Sequence, residues 1–304
     1  MIPCLRLLLI ISLAPAVTAQ LPESALSVQG SGGKSVVWWR SAQAPAEWKS
    51  ALPALAGAVQ WRKVRPGLES SSFDISGEHV GWSVRIILVR VDPARFSLVL
   101  DSAVDDAKPA WSIDSAPANA ALALNAGQFE GDLPWGWIVR TGREVQPPRP
   151  GPLSSALIVD AGGRADVVDA AEIADTRTRG NLLLAFQSYP SILVGDGRVP
   201  EALRGPGHGV DLRHRDSRVA LGLLRDGHLL IALTRFGGTR LPFGPTTPEM
   251  AAIMGALGCR RAMLLDGGLS GQLMFRNAQG RANRWPGLRS VPLGLLAYPK
   301  PGLK

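Results

Sequence analysis

The residue best suited to chemistry in this sequence is an aspartate that ends a hydrophobic segment, Asp266. The preceding residues, 259–265, have the composition of a buried strand, which would fix the position of the carboxylate. Gly267 and Gly268 follow, and two residues without a Cβ let a substrate or another backbone approach closely. The same Asp-Gly-Gly sequence is also common in ordinary turns. An active-site carboxylate and a plain turn are therefore both open interpretations of this segment.

Other catalytic and metal-binding patterns fit less well. Gly268-Leu-Ser-Gly-Gln272 is close to the nucleophile elbow of serine hydrolases, but no histidine follows Ser270 in the chain. The histidines lack the spacing and the cysteine partners of a structural zinc site. His214, between two arginines, is compatible with an anion site or with a simple exposed position. No cofactor is predicted, although a carboxylate with phosphate oxygens would suit a divalent cation.

The segments that must position these residues are mostly strand-like. The clearest hairpin joins residues 218–224 to residues 228–233 through Asp226-Gly227, a pair typical of tight turns. A capping sequence at 246–249 predicts a helix that runs to Leu257 and ends at the following glycine. The pattern predicts an α+β fold, with a mixed, mainly antiparallel β-sheet core and few helices packed on it.

Composition divides the chain into three parts. Residues 1–19 have the basic start, short apolar stretch and small-residue exit of a secretory signal peptide. Residues 20–80, rich in Ser, Gly, Pro and Ala, are predicted to be a loosely structured N-terminal extension, and residues 81–304 form the compact domain. No later apolar segment is long enough to span a bilayer. We therefore expect a secreted or periplasmic protein without stable membrane insertion after signal cleavage, with an uncleaved anchor as the alternative.

The charge balance indicates anionic partners. The chain has 33 Lys and Arg against 25 Asp and Glu, a net charge of +8, and most of the basic residues are arginines. Guanidinium groups bind phosphate and carboxylate in bidentate geometry, so an anionic glycan or a sugar phosphate is the expected partner. Nucleic acid is not expected, because the arginines are spread along the chain without an aromatic-interleaved basic stripe. Codon bias is an alternative reason for the arginine content.

Six short segments, taken in order over about residues 82–298, resemble the phosphodiester glycosidase family. They are Asn125-Ala-Gly-Gln-Phe129, Pro134-Trp-Gly-Trp-Ile138, Gln187-Ser-Tyr-Pro190 with the strand after it, Arg218-Val-Ala-Leu-Gly222, the helix start from Gly244 to Glu249, and Leu265-Asp-Gly-Gly-Leu-Ser270. Their shared order and spacing carry the resemblance. It implies an exported glycosidase that hydrolyses a sugar-1-phosphodiester, for example N-acetylglucosamine-1-phosphodiester, at the anomeric carbon and acts on envelope or extracellular glycans.

The resemblance also implies roles for individual residues. Asp266 would stabilise the developing cation or activate water, Arg218 would hold the phosphate, and Asn125 would orient sugar hydroxyls or phosphate oxygens. The substrate-binding residues that it implies are Gly127, Gly267, Gly268, Ser270 and Glu249. Glu249 is a weaker second carboxylate, since its place at a helix start already explains it as a cap.

The sequence departs from the family pattern next to this site. The family usually has glycine at the positions of Ala126, Leu269 and Tyr189, and serine at the position of Gly271. Added side chains beside a catalytic turn can reshape a pocket or close it. Two alternatives therefore stand beside the glycosidase: a non-catalytic envelope module that binds an anionic glycan through the same pocket, and a hydrolase of another bond, such as a sugar amide or a peptidoglycan linkage.

Overall fold

The computed structural model describes residues 23–29, 33–78, 81–102, 110–237 and 243–302. The predicted signal peptide, residues 1–19, lies outside the described residues. Within the described part, no helix has both the length and the apolar character that crossing a membrane requires.

Strands make up most of the regular structure. In chain order they are β1 (Ala25–Gln29), β2 (Ser35–Arg40), β3 (Arg62–Arg65), β4 (Leu68–Gly77), β5 (Trp82–Val91), β6 (Phe96–Ser102), β7 (Leu122–Asn125), β8 (Phe129–Glu130), β9 (Leu133–Pro134), β10 (Ile138–Arg140), β11 (Arg143–Gln146), β12 (Ser155–Asp160), β13 (Ala165–Asp169), β14 (Leu182–Ser188), β15 (Ser191–Leu193), β16 (Val219–Leu224), β17 (Leu229–Phe236), β18 (Cys259–Leu265), β19 (Leu273–Arg276), β20 (Ala282–Trp285) and β21 (Leu293–Pro299). The α-helices are α1 (Pro53–Ala56), α2 (Ala170–Arg179) and α3 (Thr247–Ala256).

The strands form three large sheets. The first has nine strands in the order β15-β18-β16-β17-β5-β4-β1-β2, with β3 paired to β4. The second has the order β11-β10-β14-β12-β13, the third has the order β20-β19-β7-β21-β6, and β8 pairs with β9. Every described pairing between these strands is antiparallel. The predicted α+β fold, mainly antiparallel with few helices, is confirmed.

One hydrophobic core joins the three sheets. Leu265 of the first sheet, Phe186 of the second and Leu295 of the third belong to this shared cluster. A second cluster lies on the opposite face of the nine-stranded sheet, where helix α3 packs and where all ten of its residues are buried. The buried Cys259 is part of that second cluster, as a small hydrophobic residue would be.

Local sequence signals explain the two elements nearest the candidate site. Strands β16 and β17 form the predicted hairpin, and Gly227 in its turn has a φ of +87°, which favours glycine. Helix α3 begins with a reciprocal capping box: Thr246 N donates to Glu249 Oε2 at 2.8 Å, and Glu249 N donates to Thr246 Oγ1 at 3.3 Å. The predicted helix start is therefore confirmed.

The prediction of a loosely structured extension over residues 20–80 is wrong for the part that the structure describes. Strands β1 to β4 lie there, and β4 pairs along its whole length with β5. Phe73 and Ile75 of β4 alternate with exposed residues and are buried in the second cluster. Trp48 lies against Gly255 of helix α3, where a Cβ would come within 2.3 Å of the indole. Because β4 is rich in serine, its sequence does not show that alternate residues of the strand are buried.

Candidate active site

Asp266 directly follows β18, in a turn that several backbone hydrogen bonds fix. Its N–H donates to Gly127 O at 2.9 Å. Asn125 Nδ2 donates to Asp266 O at 2.7 Å, and Asn125 Oδ1 accepts from Gln272 N at 3.0 Å. The structure thus brings Asn125, Gly127 and Asp266 together, where the ends of β7 in the third sheet and β18 in the first sheet meet. The Asn125 amide binds backbone on both sides of the turn, so it positions the aspartate rather than offering its polar atoms to a ligand.

The surroundings of the Asp266 carboxyl raise its pKa. Burial raises the pKa of Asp266 and is the largest cause, while a hydrogen bond from Ser270 and the positive charge of Arg289 lower it. The negative charge of Asp216 raises the pKa further. Asp266 Oδ2 is buried and has no hydrogen-bond partner among the described residues. A carboxyl with a raised pKa at a strand end is the kind of group that acid–base chemistry uses.

A second carboxylate, Asp216, stands close to this turn and was not predicted from the sequence. A Cβ on Gly268 would lie 2.8 Å from Asp216 Oδ2, and Gly268 has a φ of +54°. Asp216 Oδ1 accepts from Ser217 N at 2.7 Å, and His214 Nε2 lies 3.6 Å from Asp216 Oδ2. The absence of a side chain at Gly268 therefore makes room for the Asp216 carboxylate. The only sequence signal was His214 between two arginines, because Asp216 lies in a loop without periodic pattern.

Arg218 comes to the same region, but its guanidinium is largely held by main-chain carbonyls. Its Nε donates to Pro245 O at 3.0 Å and its Nη2 donates to His214 O at 2.7 Å. Burial lowers the pKa of Arg218, and the charges of Asp216, Glu249 and Asp211 raise it. Nη1 has no hydrogen-bond partner among the described residues and is the donor left for a ligand.

The positive charge that acts on Asp266 is that of Arg289. Its exposed guanidinium lies over the Phe129 ring, 4.8 Å from the ring centre, and its backbone N–H donates to Leu269 O at 3.0 Å. Arg289 follows Gly287, where a Cβ would come within 3.0 Å of Leu269 O. This loop therefore packs closely on the Asp266 turn. Sequence reasoning did not single out Arg289, since it lies in an irregular loop that only tertiary folding brings to Asp266.

The glycines of the turn are required by neighbouring backbone. A Cβ on Gly267 would lie 2.3 Å from Ser217 O, and Gly268 N donates to the same carbonyl at 2.7 Å. Gly127 has a φ of +66°, and a Cβ there would lie 3.1 Å from Gln187 O. These positions bring strand ends into contact, which is a structural reason for glycine besides access for a substrate.

Glu249 lies in a different setting from Asp266. Its carboxylate is fully buried, pairs with Arg215 through contacts of 2.7 and 2.8 Å, caps helix α3 and accepts a hydrogen bond from Ser24 Oγ. Arg215 also lies over the Trp82 ring, 4.9 Å from its centre. Both oxygens of Glu249 are therefore engaged by protein groups. Its role as a helix cap and buried ion-pair partner accounts for all of these contacts.

The residues that depart from the family pattern do not fill the site. Ala126 is 4% exposed and packs in the shared core, whereas Leu269 is 48% exposed. Tyr189, also solvent-exposed, contacts the edge of Trp135 with ring centres 4.7 Å apart. Gly271 O accepts from Arg235 Nη2 at 2.7 Å. Neither Leu269 nor Tyr189 is packed into the turn as a plug.

In the described ranges of the chain, no group of three or more His, Cys, Asp and Glu side chains is close enough to hold a metal ion. A cavity of about 610 Å³ does lie elsewhere, between the 147–151 loop and helix α2, and its lining contains neither Asp266 nor the charged residues around it.

The fold and this site together define an antiparallel β-sheet protein with a half-buried aspartate at a glycine turn, beside a second carboxylate and the positive charge of Arg289. The family model "Phosphodiester glycosidase" matches residues 118–298, more than half of the chain. This protein belongs to the phosphodiester glycosidase family, as the resemblance of the six segments implied. Membership indicates a hydrolase of the glycosidase class.

Solved structures show the same fold. The catalytic domain of zebrafish N-acetylglucosamine-1-phosphodiester alpha-N-acetylglucosaminidase, auto-inhibited by its pro-peptide, matches with a TM-score of 0.59 and 16% identity, covering 80% of this chain and 89% of that one. A protein of Synechocystis matches with a TM-score of 0.52 and 16% identity, covering 91% of this chain and 68% of that one. At this identity the likeness concerns the fold. No curated protein matches the sequence.

Proposed function

We propose that this protein is an exported glycosidase that hydrolyses a sugar-1-phosphodiester at the anomeric carbon. The observation that carries the proposal is the Asp266 carboxyl, whose pKa is raised by burial and whose Oδ2 has no partner among the described residues. Membership of the phosphodiester glycosidase family supports the substrate class. N-acetylglucosamine-1-phosphodiester is the proposed model substrate, and envelope or extracellular glycans are the proposed setting.

In the proposed reaction, water attacks the anomeric carbon while the bond from that carbon to the phosphate oxygen breaks. The electron pair leaves with the phosphate, the attacking water gives its proton to Asp266, and the products are the free sugar and a phosphate monoester. A raised pKa makes the ionised Asp266 carboxylate a stronger base towards water. Phosphate is a good leaving group and needs less protonation than an alcohol would.

The charged residues near Asp266 would bind the phosphate and stabilise the positive charge that develops on the sugar. Arg289, exposed beside Asp266, and the free Nη1 of Arg218 supply donors for the phosphate oxygens. Asp216 places a second negative charge near the carbon that becomes positive in an oxocarbenium-like transition state. Ser270 keeps Asp266 oriented through its hydrogen bond.

The test is hydrolysis of N-acetylglucosamine-1-phosphodiester by the purified protein and by Asp266→Asn. Removal of a general base is expected to lower kcat by about 10²–10⁴-fold. Asp175→Asn, an exposed aspartate on helix α2, is the matched control and should keep the wild-type rate. Arg289→Ala is expected to raise KM and lower kcat, with the exposed Arg143→Ala as its control. Wild-type turnover by Asp266→Asn would show that another residue activates water.

A non-catalytic glycan-binding module is the second candidate. It is favoured by Leu269, which places an exposed side chain where the family usually has a glycine. Binding of the same phosphodiester without any release of sugar would identify this function. Export is tested separately by N-terminal sequencing of the protein recovered from outside the cytoplasm, which should begin near Gln20.

A further inference from the structure

A polar cavity of about 540 Å³ opens between the nine-stranded sheet and the sheet that contains β19 and β20. Strands β3, β4 and β5 form one wall, with β19, β20 and the turn between them forming the other. Its volume is within the range of sites that bind small ligands. None of its lining residues takes part in the site around Asp266.

The cavity wall formed by β19 and β20 has polar side chains at positions where the hydrophobic core would be expected to continue. Leu273 and Phe275 of β19 belong to the shared core, and in the sheet register they pair with Trp285 and Asn283 of β20. Directly paired residues lie on the same face of a sheet. Trp285 and Asn283 therefore face the nine-stranded sheet, and Asn283 stands at a position whose pattern favours an apolar residue.

The opposite wall, formed by β3, β4 and β5, also has polar residues at core-facing positions. Ser70 and Ser72 of β4 pair with Val89 and Ile87 of β5, both of which belong to the shared core. The serines therefore also face inward, across the cavity from β20. Polar residues at core-facing positions break the pattern that makes a sheet fold, and such local exceptions are expected at functional sites.

The lining combines the groups that recognise a charged sugar. The side chains of Ser72 and Asn283 make no hydrogen bond to any residue in the described ranges, and both are exposed. Trp285 is half-buried against the core and offers a ring for stacking. Arg62 and Lys63 line the cavity, whereas no acidic residue is among its described lining residues. The local charge is therefore positive.

We propose that this cavity binds an anionic saccharide, with the sugar ring on Trp285, hydroxyls on Ser72 and Asn283, and the carboxylate or phosphate on Arg62. In the sheet register Ser72 is aligned with Leu265, which precedes Asp266, but three strands lie between β4 and β18. Four strand spacings correspond to about 19 Å, so this is a second site and not an extension of the first. Binding here does not depend on turnover at Asp266.

The experiment is calorimetric titration of the whole protein with a tetrasaccharide of alternating glucuronate and N-acetylglucosamine. The matched ligand is the same tetrasaccharide with its carboxylates reduced to alcohols. Arg62→Ala and Asn283→Ala are the test variants, because both residues are exposed and their loss leaves the core intact. We expect each variant to weaken binding about tenfold, and the reduced ligand to bind about tenfold more weakly to the wild type.

Two control variants separate binding in this cavity from binding at the Asp266 turn and from a general effect of positive charge. Arg143→Ala removes an exposed arginine on β11 and should bind like the wild type. Asp266→Asn should also bind the tetrasaccharide with wild-type affinity, whatever its effect on hydrolysis. The proposal is overturned if the wild type does not bind at millimolar ligand, if Arg62→Ala and Asn283→Ala bind normally, or if Asp266→Asn alone abolishes binding.

Discussion

Replacing Asn125 by alanine tests whether this residue holds the Asp266 turn in place. The side chain is 1% exposed and connects two strand ends, with Nδ2 2.7 Å from Asp266 O and Oδ1 3.0 Å from Gln272 N. Alanine removes both bonds. The carbonyl of Asp266 and the N–H of Gln272 then stay in the interior, where water cannot replace the lost amide without entering the core.

The magnitude follows from the two groups left without a partner. A buried donor or acceptor that loses its hydrogen bond costs about 1–3 kcal/mol, so the free energy of unfolding should fall by about 2–6 kcal/mol. Asn125→Asp should also destabilise the protein, because the aspartate can still accept from Gln272 N but cannot donate to Asp266 O. The hydrogen bond from Asp266 N to Gly127 O survives in both variants and limits the damage.

Urea denaturation followed by tryptophan fluorescence measures this loss, with turnover of the folded variant measured in parallel. Asn283→Ala is the matched control, because that asparagine is exposed and its loss should change stability by no more than about 0.5 kcal/mol. A loss below about 1 kcal/mol for Asn125→Ala, with normal turnover, would refute the view that the amide fixes the Asp266 turn.

Three further predictions follow from the same geometry. Because the charge of Asp216 raises the pKa of Asp266, Asp216→Asn should move the acid limb of the kcat/KM profile to lower pH, and an unmoved limb would contradict the coupling. Gly267→Ala places a Cβ 2.3 Å from a backbone carbonyl and should cost about 1–3 kcal/mol of stability in thermal or urea denaturation, whereas Gly205→Ala, with open space around it, should be nearly neutral. Glu249→Gln breaks a buried ion pair and should lower the free energy of unfolding by about 3–5 kcal/mol in the same assay, which a loss below about 1 kcal/mol would rule out.

The parts of the fold that sequence predicts are those with strong local signals. Strand β18 and the Asp266 turn follow from the apolar residues 262–265, which lead into Asp266 and two glycines. The β16–β17 hairpin follows from Asp226-Gly227, and the start of helix α3 from its capping box. In each case a few neighbouring residues decide the conformation, so no knowledge of the tertiary structure is needed.

The parts that sequence did not predict depend on distant partners. Strand β4 contains consecutive serines and becomes a strand because it pairs with β5. Glu249 pairs with Arg215 and accepts from Ser24, which is 225 residues away in the chain. Asp216 and Arg289 lie in loops that the folded sheets bring to Asp266. Neither periodicity nor spacing carries information about such contacts.

The most direct test of the proposed activity is to identify the bond that breaks. Hydrolysis of N-acetylglucosamine-1-phosphodiester in water enriched in oxygen-18, with mass analysis of the phosphate monoester, distinguishes attack at carbon from attack at phosphorus. Attack at the anomeric carbon with Asp266 as base predicts a phosphate monoester that contains no oxygen-18, together with loss of turnover in Asp266→Asn. Oxygen-18 in the phosphate would show attack at phosphorus and would contradict a glycosidase.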